Sequence, residues 1–384
     1  MTGKTVIVLG GGVGGLVAAN ELRKRLGREH RVVLVDKDGR HVFSPSFLWL
    51  IIGLRQPDKI VRDLAVLEKK GIEVVKGEVE SIDPSRNKVQ VDGREWEADY
   101  LVVSLGADLA PEQVPGLAEA GHNLYTLEGA IAIRDARKTL TEGRLVVLTS
   151  RPLYKCPAAP YEAAMLLDYD LRKRKMRDRV SVDIYAAEAK PLAVTGPAFS
   201  EQVRQMVEQK GIAYHPQHQV TEVDPASKTL RFANGAEVRF DFLVYVPPHV
   251  APSVIQEAGL TNESGWVPVD RHTMETRFPG VYAIGDVTSI PLSVGLPLSK
   301  AGTFAHHQAE AVAQTIAASA TGRGKPATFD GQGECFVEIG DGKAGFGSGD
   351  FYAEPAPAVN LRQPTRYWHA GKILFEKDWL RRWF

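Results

Sequence analysis

The chain has 384 residues, 44% of them hydrophobic and 24% charged, and its 47 Lys and Arg balance 47 Asp and Glu. That is ordinary composition for a globular protein of two or three domains. Without a basic domain or stripe it excludes a typical nucleic-acid binder, and two cysteines are too few for a disulfide framework in a chain this long.

The first predicted element is a buried strand, "TVIVLG", Thr5 to Gly10. An amphipathic helix, Gly15 to Leu26, and a second strand, Arg31 to Asp36, complete a βαβ unit. Because the chain enters this pattern at once, with no cleavable apolar region, it is expected to be cytoplasmic or peripheral on the cell membrane, without a signal peptide. Between strand and helix, Gly10, Gly12 and Gly15 stand in G-x-G-x-x-G spacing. The first glycine allows the tight turn, the second lets backbone approach a pyrophosphate, and the third lets the helix pack on the strand. The helix N-terminus then offers unpaired N–H groups to phosphate. Asp36 closes the second strand where a carboxylate accepts ribose hydroxyls. The apolar run Val42–Leu54 is too short and too interrupted to cross a bilayer.

Strand-like stretches follow at "IEVVKGEVESID", "KVQVDGREWEADYLVVSLGA", "RLVVLTS", "VSVDIYAAE", "DFLVYVPPHV" and "GVYAIGD". Helical patterns intervene at Gly129–Leu140, Pro160–Lys173, Phe199–Lys210 and Leu298–Ala318. Alternation of this kind predicts an α/β fold with two doubly wound, Rossmann-like domains. The expected boundaries are 1–110 with 275–325 for the first domain and 111–274 for the second. Residues 326–384 form a separate C-terminal segment.

Two of these strands end in further signals, Ser104-x-Gly106-Ala107 and Gly285–Asp286. With the glycine fingerprint, they make the chain resemble the two-dinucleotide-domain flavoproteins, a superfamily that includes disulfide reductases and type II NADH dehydrogenases. The resemblance implies FAD in the first domain, with Gly106, Gly285 and Asp286 among its contacts and Pro45, in the loop "HVFSPSFLW", near the isoalloxazine. Members that use NAD(P)H carry a second glycine-rich turn after the strand "LVVLTS". Here the turn reads "RPLYKCPAAPYE", and no glycine occurs between Arg144 and Thr195. Pro152, Pro157 and Pro160 stiffen it, and Pro160 suits a first helical position. The second domain is therefore expected to keep its fold and to have lost its nicotinamide site.

Cys156 lies in that turn, at the sheet edge where ligands bind in such folds. Cys335 follows the loop-rich stretch Thr321–Glu334. Taken alone, either cysteine reads as an ordinary buried thiol. The segments "KCPAAPYE" and "ECFVEIGDGKAGF", however, resemble the redox-cysteine segments of sulfide dehydrogenases: sulfide:quinone oxidoreductase and the flavoprotein subunit of flavocytochrome c sulfide dehydrogenase. That resemblance implies a Cys156/Cys335 pair facing the flavin, joined by a disulfide or a sulfur bridge. Cys335 would be the flavin-proximal thiolate and Cys156 the persulfide carrier. Lys155 and Lys300 are candidate cations beside thiol or flavin. Glu162 is either a proton shuttle or a solvated carboxylate in a first helical turn. The third cysteine common in sulfide:quinone oxidoreductases is absent, so the FAD is expected to be noncovalent.

His215, His218, His306 and His307 show no converging metal-ligand pattern. In the tail, Phe375, Trp379, Leu380, Trp383 and Phe384 form one helical stripe, flanked by Lys372, Lys377, Arg381 and Arg382. The stripe suits a helix lying in a membrane interface and equally one docked on the protein or on a second subunit of a homodimer. Phe336 and Phe346 are candidate walls for a quinone ring. The resemblance thus implies FAD-dependent oxidation of sulfide with electrons passed to a quinone. A type II NADH:quinone reductase and a non-turnover flavin–thiol sensor are the competing readings.

Overall fold

The computed structural model describes residues 3–384. In chain order its main elements begin with β1 (Thr5–Leu9), α1 (Val13–Arg25), β2 (Arg31–Asp36), β3 (Glu73–Lys76) and β4 (Tyr100–Val103). Then come β5 (His122–Asn123), β6 (Gly143–Thr149), α2 (Ala159–Lys173), β7 (Val180–Ala186), α3 (Pro197–Glu208), β8 (Ala213–His215) and β9 (Phe242–Val246). The chain closes with β10 (Val281–Ala283), α4 (Gly302–Thr321), the strands β11 (Gln332–Gly340), β12 (Lys343–Asp350) and β13 (Ala358–Thr365), and α5 (Arg366–Arg382).

Two five-stranded parallel sheets repeat one plan. The first has the order β10-β4-β1-β2-β3 and the second β5-β9-β6-β7-β8. The central strands β1 and β6 carry unbroken apolar runs, residues 6–9 and 145–148, because both sheet faces are covered. Val6 and Val8 pack on the α1 side, while Ile7 and Leu9 face the opposite layer with Val89 and Trp96. In the second sheet Leu145 and Val147 face one core, and Val146 and Leu148 the other. β10 returns to the first sheet from far along the chain, so the first unit is discontinuous in sequence.

The C-terminal segment is an antiparallel meander, β11-β12-β13, followed by α5. Several boundaries move from their expected places. The helix expected at Leu298–Ala318 starts at Gly302, so Lys300 lies in an extended lead-in rather than in the helix. The same helix runs on to Thr321, where Gly322 ends it in a left-handed cap at φ +66°. The helix expected at Gly129–Leu140 spans Leu127–Ala136, with Thr126 capping it through Gly129 N–H, and then tightens into a 3₁₀ turn.

Candidate active site

The glycine turn between β1 and α1 is shaped by close approach. Gly10 has φ +99°, and a Cβ there would lie 2.5 Å from the Ser104 carbonyl oxygen. A Cβ on Gly15 would lie 1.8 Å from the Gly10 carbonyl oxygen, so this glycine seats the helix behind the turn rather than touching a ligand. At Gly12, by contrast, nothing stands within 4 Å of an added Cβ, and no side chain caps α1. The uncapped helix N-terminus therefore opens on a space suited to an anion. Asp36 Oδ2 accepts from Gly11 N–H at 2.8 Å, and Oδ1 accepts from Asp38 and Gly39 N–H groups.

A cavity of about 440 Å³ runs from this turn, walled by Gly10, Gly12, Asp36, Pro45, Gly106, Gly285, Asp286, Lys155, Lys300 and Cys156 among others. Nearly every cofactor residue expected from the sequence thus faces one space. Gly285 N–H donates to Gln308 Oε1 at 2.8 Å, fixing the β10 end of the cavity. Lys300 Nζ donates to the Asp286 and Thr288 carbonyls at 2.6 and 3.1 Å and stands 3.3 Å from the Trp266 ring centroid. Burial lowers the Lys300 pKa to about 8, with Asp286 opposing.

Cys156 occupies the turn in the left-handed region, at φ +47°. Its N–H donates to the Lys300 carbonyl at 2.6 Å, and Tyr125 OH donates to its carbonyl at 3.1 Å. Cys335 lies on β11, where its thiol donates to the Phe336 carbonyl at 3.1 Å. Both thiols are free and both residues half-buried. Burial, with help from Glu162, pushes the Cys156 thiol up to about 12, while Lys372 pulls the other way. Cys335 moves upward for the same reasons, and the charge of Cys156 adds to its shift. The charges of Glu162 and Lys372 thus act on both cysteines.

Glu162 is no solvated carboxylate: it is buried at 1% exposure on α2. Its Oε1 accepts from Glu338 N–H at 2.8 Å and from Lys372 Nζ at 3.1 Å. Burial raises the Glu162 pKa against these donors. Lys372 is the residue that sequence reasoning misplaced. In sequence it flanks the aromatic stripe, read equally as lying in a membrane interface or as docked; it is 6% exposed, its ammonium paired with the buried Glu162 carboxylate. Burial opposes that charge, but Glu162 and Glu338 hold the Lys372 pKa above its ordinary value. Glu338 in turn accepts from His369 Nδ1 at 3.0 Å.

α5 therefore docks through its aromatic stripe. Trp379 and Trp383 are buried, and Trp379 Nε1 donates to His41 Nε2 at 3.2 Å while His41 Nδ1 donates to the Gly11 carbonyl. Glu376 is buried against Arg55, at 2.7 Å, and Ser46. Phe375 belongs to the expected stripe but is 42% exposed, beside exposed Tyr367 and Leu374. The missed signal was polar: Lys372, Glu376, Trp379 and Trp383 share one face at i, i+4, i+7 and i+11. Phe336 and Phe346 are cross-strand partners with ring centroids 5.1 Å apart, and Trp368 stacks on Phe346 at 4.6 Å. His306 packs on Trp379 and Trp383, and His215 stacks on Tyr185 at 4.2 Å.

The pyridine nucleotide-disulphide oxidoreductase family matches residues 4–149 and 161–322. The cysteine turn and the whole C-terminal segment fall outside that match. The mitochondrial sulfide:quinone oxidoreductase of Mus musculus is 24% identical over 364 residues, covering 91% of this chain and 79% of that protein. The sulfide-quinone reductase of Aquifex aeolicus is 29% identical over 399 residues, covering 98% and 90%. The solved sulfide:quinone oxidoreductase of Aquifex aeolicus superposes with a TM-score of 0.89 at 27% identity, over 99% of this chain and 91% of that one. These likenesses run through both the cysteine turn and the C-terminal segment.

Proposed function

The chain belongs to the pyridine nucleotide-disulphide oxidoreductase family, and on that premise we propose that it oxidises sulfide at Cys156 and Cys335 and passes the electrons through noncovalently bound FAD to a quinone. The observation that carries this reading is that two free cysteines, Cys156 in the cavity wall and Cys335 on β11, both lie within the electrostatic reach of the buried Glu162–Lys372 pair. The likeness to sulfide:quinone oxidoreductases over nearly the whole chain supports it.

The cavity residues fit FAD. The uncapped start of α1 and the open space at Gly12 suit the pyrophosphate, Asp36 the ribose, and Gly106, Pro45, Gly285, Asp286 and Lys300 the remainder. Bound FAD would supply the two-electron relay between the cysteine pair and the quinone. The protein's own part begins with the oxidised pair. HS⁻ attacks one cysteine sulfur, the S–S bond breaks, the attacked cysteine keeps the new sulfur as a persulfide, and the other departs as a thiolate carrying the bonding electrons. With the thiol pKa values pushed up, the reduced pair binds protons that must leave when it is reoxidised. Glu162, whose charge acts on both thiols and whose Oε1 is bridged to Lys372, would accept them.

An anaerobic titration decides among the readings. Sulfide is expected to bleach the flavin absorbance within seconds, a quinone to restore it, and NADH to leave it unchanged. Rapid bleaching by NADH and none by sulfide would refute the proposal in favour of a type II NADH:quinone reductase. Bleaching by sulfide without steady-state quinone reduction would favour the sensor.

No helix among the described residues is long and apolar enough to cross a membrane. Instead, α5 carries a second, exposed apolar face of Tyr367, Leu374 and Phe375, with Lys377, Arg381 and Arg382 exposed on the same helix. This face, placed in the headgroup layer, would let a quinone reach Phe336 and Phe346 from the membrane. Leu374→Ser with Tyr367→Ser is expected to lower binding to anionic lipid vesicles by about tenfold or more, without loss of flavin. Unchanged vesicle binding would assign the face to a homodimer contact or to solvent.

A further inference from the structure

The second sheet repeats the plan of the first, so its counterpart of the Asp36 site can be inspected directly. In the first sheet, β2 ends at Asp36 beside the glycine turn. In the second, β7 ends at Ala186, and Glu188 follows two residues later beside the turn that carries Cys156. In a dinucleotide site, a carboxylate at this place accepts ribose hydroxyls. Here the chain supplies the hydroxyls itself. Glu188 Oε1 accepts from Tyr154 OH at 2.5 Å and Tyr161 OH at 2.7 Å, and Oε2 accepts from Thr149 Oγ1 at 2.6 Å. Tyr154, Tyr161 and Thr149 are all buried. Burial, reinforced by the Glu188 charge, keeps both phenols protonated and therefore donors.

The three hydroxyls come from three elements: Thr149 from the end of β6, Tyr161 from α2 and Tyr154 from the turn itself. That turn is strained. Leu153 and Cys156, neither of them glycine, adopt φ +65° and +47°, and such backbone persists only where its surroundings over-determine it. Tyr154 stands between these two residues. Its hydroxyl ties the strained stretch to Glu188 just beyond β7, alongside the Tyr125 hydroxyl on the Cys156 carbonyl.

We propose that Glu188 is a positioning residue for Cys156, its carboxylate seating the hydroxyls of Tyr154, Tyr161 and Thr149 where a dinucleotide ribose would otherwise lie. On this reading, the place of a nicotinamide site serves to anchor the turn that carries Cys156. The inference rests on the proposed role of Cys156.

The test is site-resolved alkylation of the reduced, flavin-loaded protein by iodoacetamide, with both cysteines read by mass spectrometry in one sample. Glu188→Ala is expected to accelerate labelling of Cys156 by about tenfold or more, as the thiol leaves its half-buried seat, and to leave Cys335 unchanged. Tyr154→Phe is expected to act in the same direction, more weakly. Glu188→Gln should restore the wild-type rate, since the amide oxygen still accepts from both tyrosyl hydroxyls. Wild-type labelling of Cys156 in both Glu188→Ala and Tyr154→Phe would overturn the proposal. So would equal acceleration at Cys335, which would indicate general loosening, or a failure of Glu188→Gln to rescue. If Glu188→Ala does not retain flavin, Tyr154→Phe alone decides. Because the readout is labelling, it stands apart from the functional reading: wild-type protein inert to sulfide would sink that reading and leave the Cys156-to-Cys335 contrast intact.

Discussion

Replacing Cys156 or Cys335 with Ser is expected to slow sulfide-driven bleaching of the flavin at least about a thousandfold, or ~4 kcal/mol of activation free energy. The hydroxyl is nearly isosteric with the thiol but can neither form the pair nor carry the persulfide sulfur. Each single variant removes the whole reaction, so the double variant should be no slower than either one. Flavin content and thermal stability should hardly move, because serine keeps nearly the same volume and the Cys335 thiol makes one hydrogen bond, to a neighbouring carbonyl, while Cys156 is held through its backbone. Stopped-flow absorbance with excess sulfide measures the rate. Retained bleaching in both single variants would remove the cysteine pair from the mechanism.

Lys372→Met is expected to be the most destabilising single change at the site, costing about 3–5 kcal/mol, because it leaves the Glu162 carboxylate buried without its cation. The sign of its pH dependence follows from that carboxylate. The Glu162 pKa is already raised by burial, with Lys372 opposing. Removing Lys372 raises it further. An acid whose folded pKa lies above its unfolded value is tolerated while protonated and penalised once ionised. The deficit should therefore be small below the ordinary glutamate range and grow as pH rises through the shifted pKa. Adding Glu162→Gln to Lys372→Met should recover much of the loss, since the unpaired charge is gone. Urea unfolding at several pH values checks all three statements. A deficit independent of pH, or a double variant as unstable as the single, would show that Lys372 matters for packing and not for charge. Turnover should also fall in Lys372→Met, since Glu162 then holds its proton too tightly to relay it.

The two sites differ in how far they were legible in sequence. The dinucleotide cradle was almost fully readable. Its signals are local: a strand, glycines at fixed spacing, a helix and an acid, all within residues 5–36. Each glycine answers a backbone requirement that holds wherever the motif folds, as the Gly10 and Gly15 contacts illustrate. The β10 end, at Gly285–Asp286, was also legible because its own strand leads into it. The thiol site was legible only in its two cysteines and through resemblance. Glu162 could be read as a solvated carboxylate, and Lys372 as a surface cation, since nothing near either residue names its partner.

What the sequence by itself determined is everything that depends on short-range chemistry: two parallel sheets, the turn for a pyrophosphate, and the loss of glycine from the second turn. What only the tertiary structure decided is which buried charges meet. Glu162 and Lys372 lie 210 positions apart, and their contact exists because α5 folds back to meet both units, His41 and Ser46 of the first and Glu162 of the second. Docking selected a face of α5 that mixes Lys372 and Glu376 with Trp379 and Trp383 and left Leu374 outside. Hydrophobic periodicity cannot reveal that choice. A charged side chain is buried only when a partner from elsewhere meets it, and the identity of that partner belongs to the fold and not to the neighbouring residues.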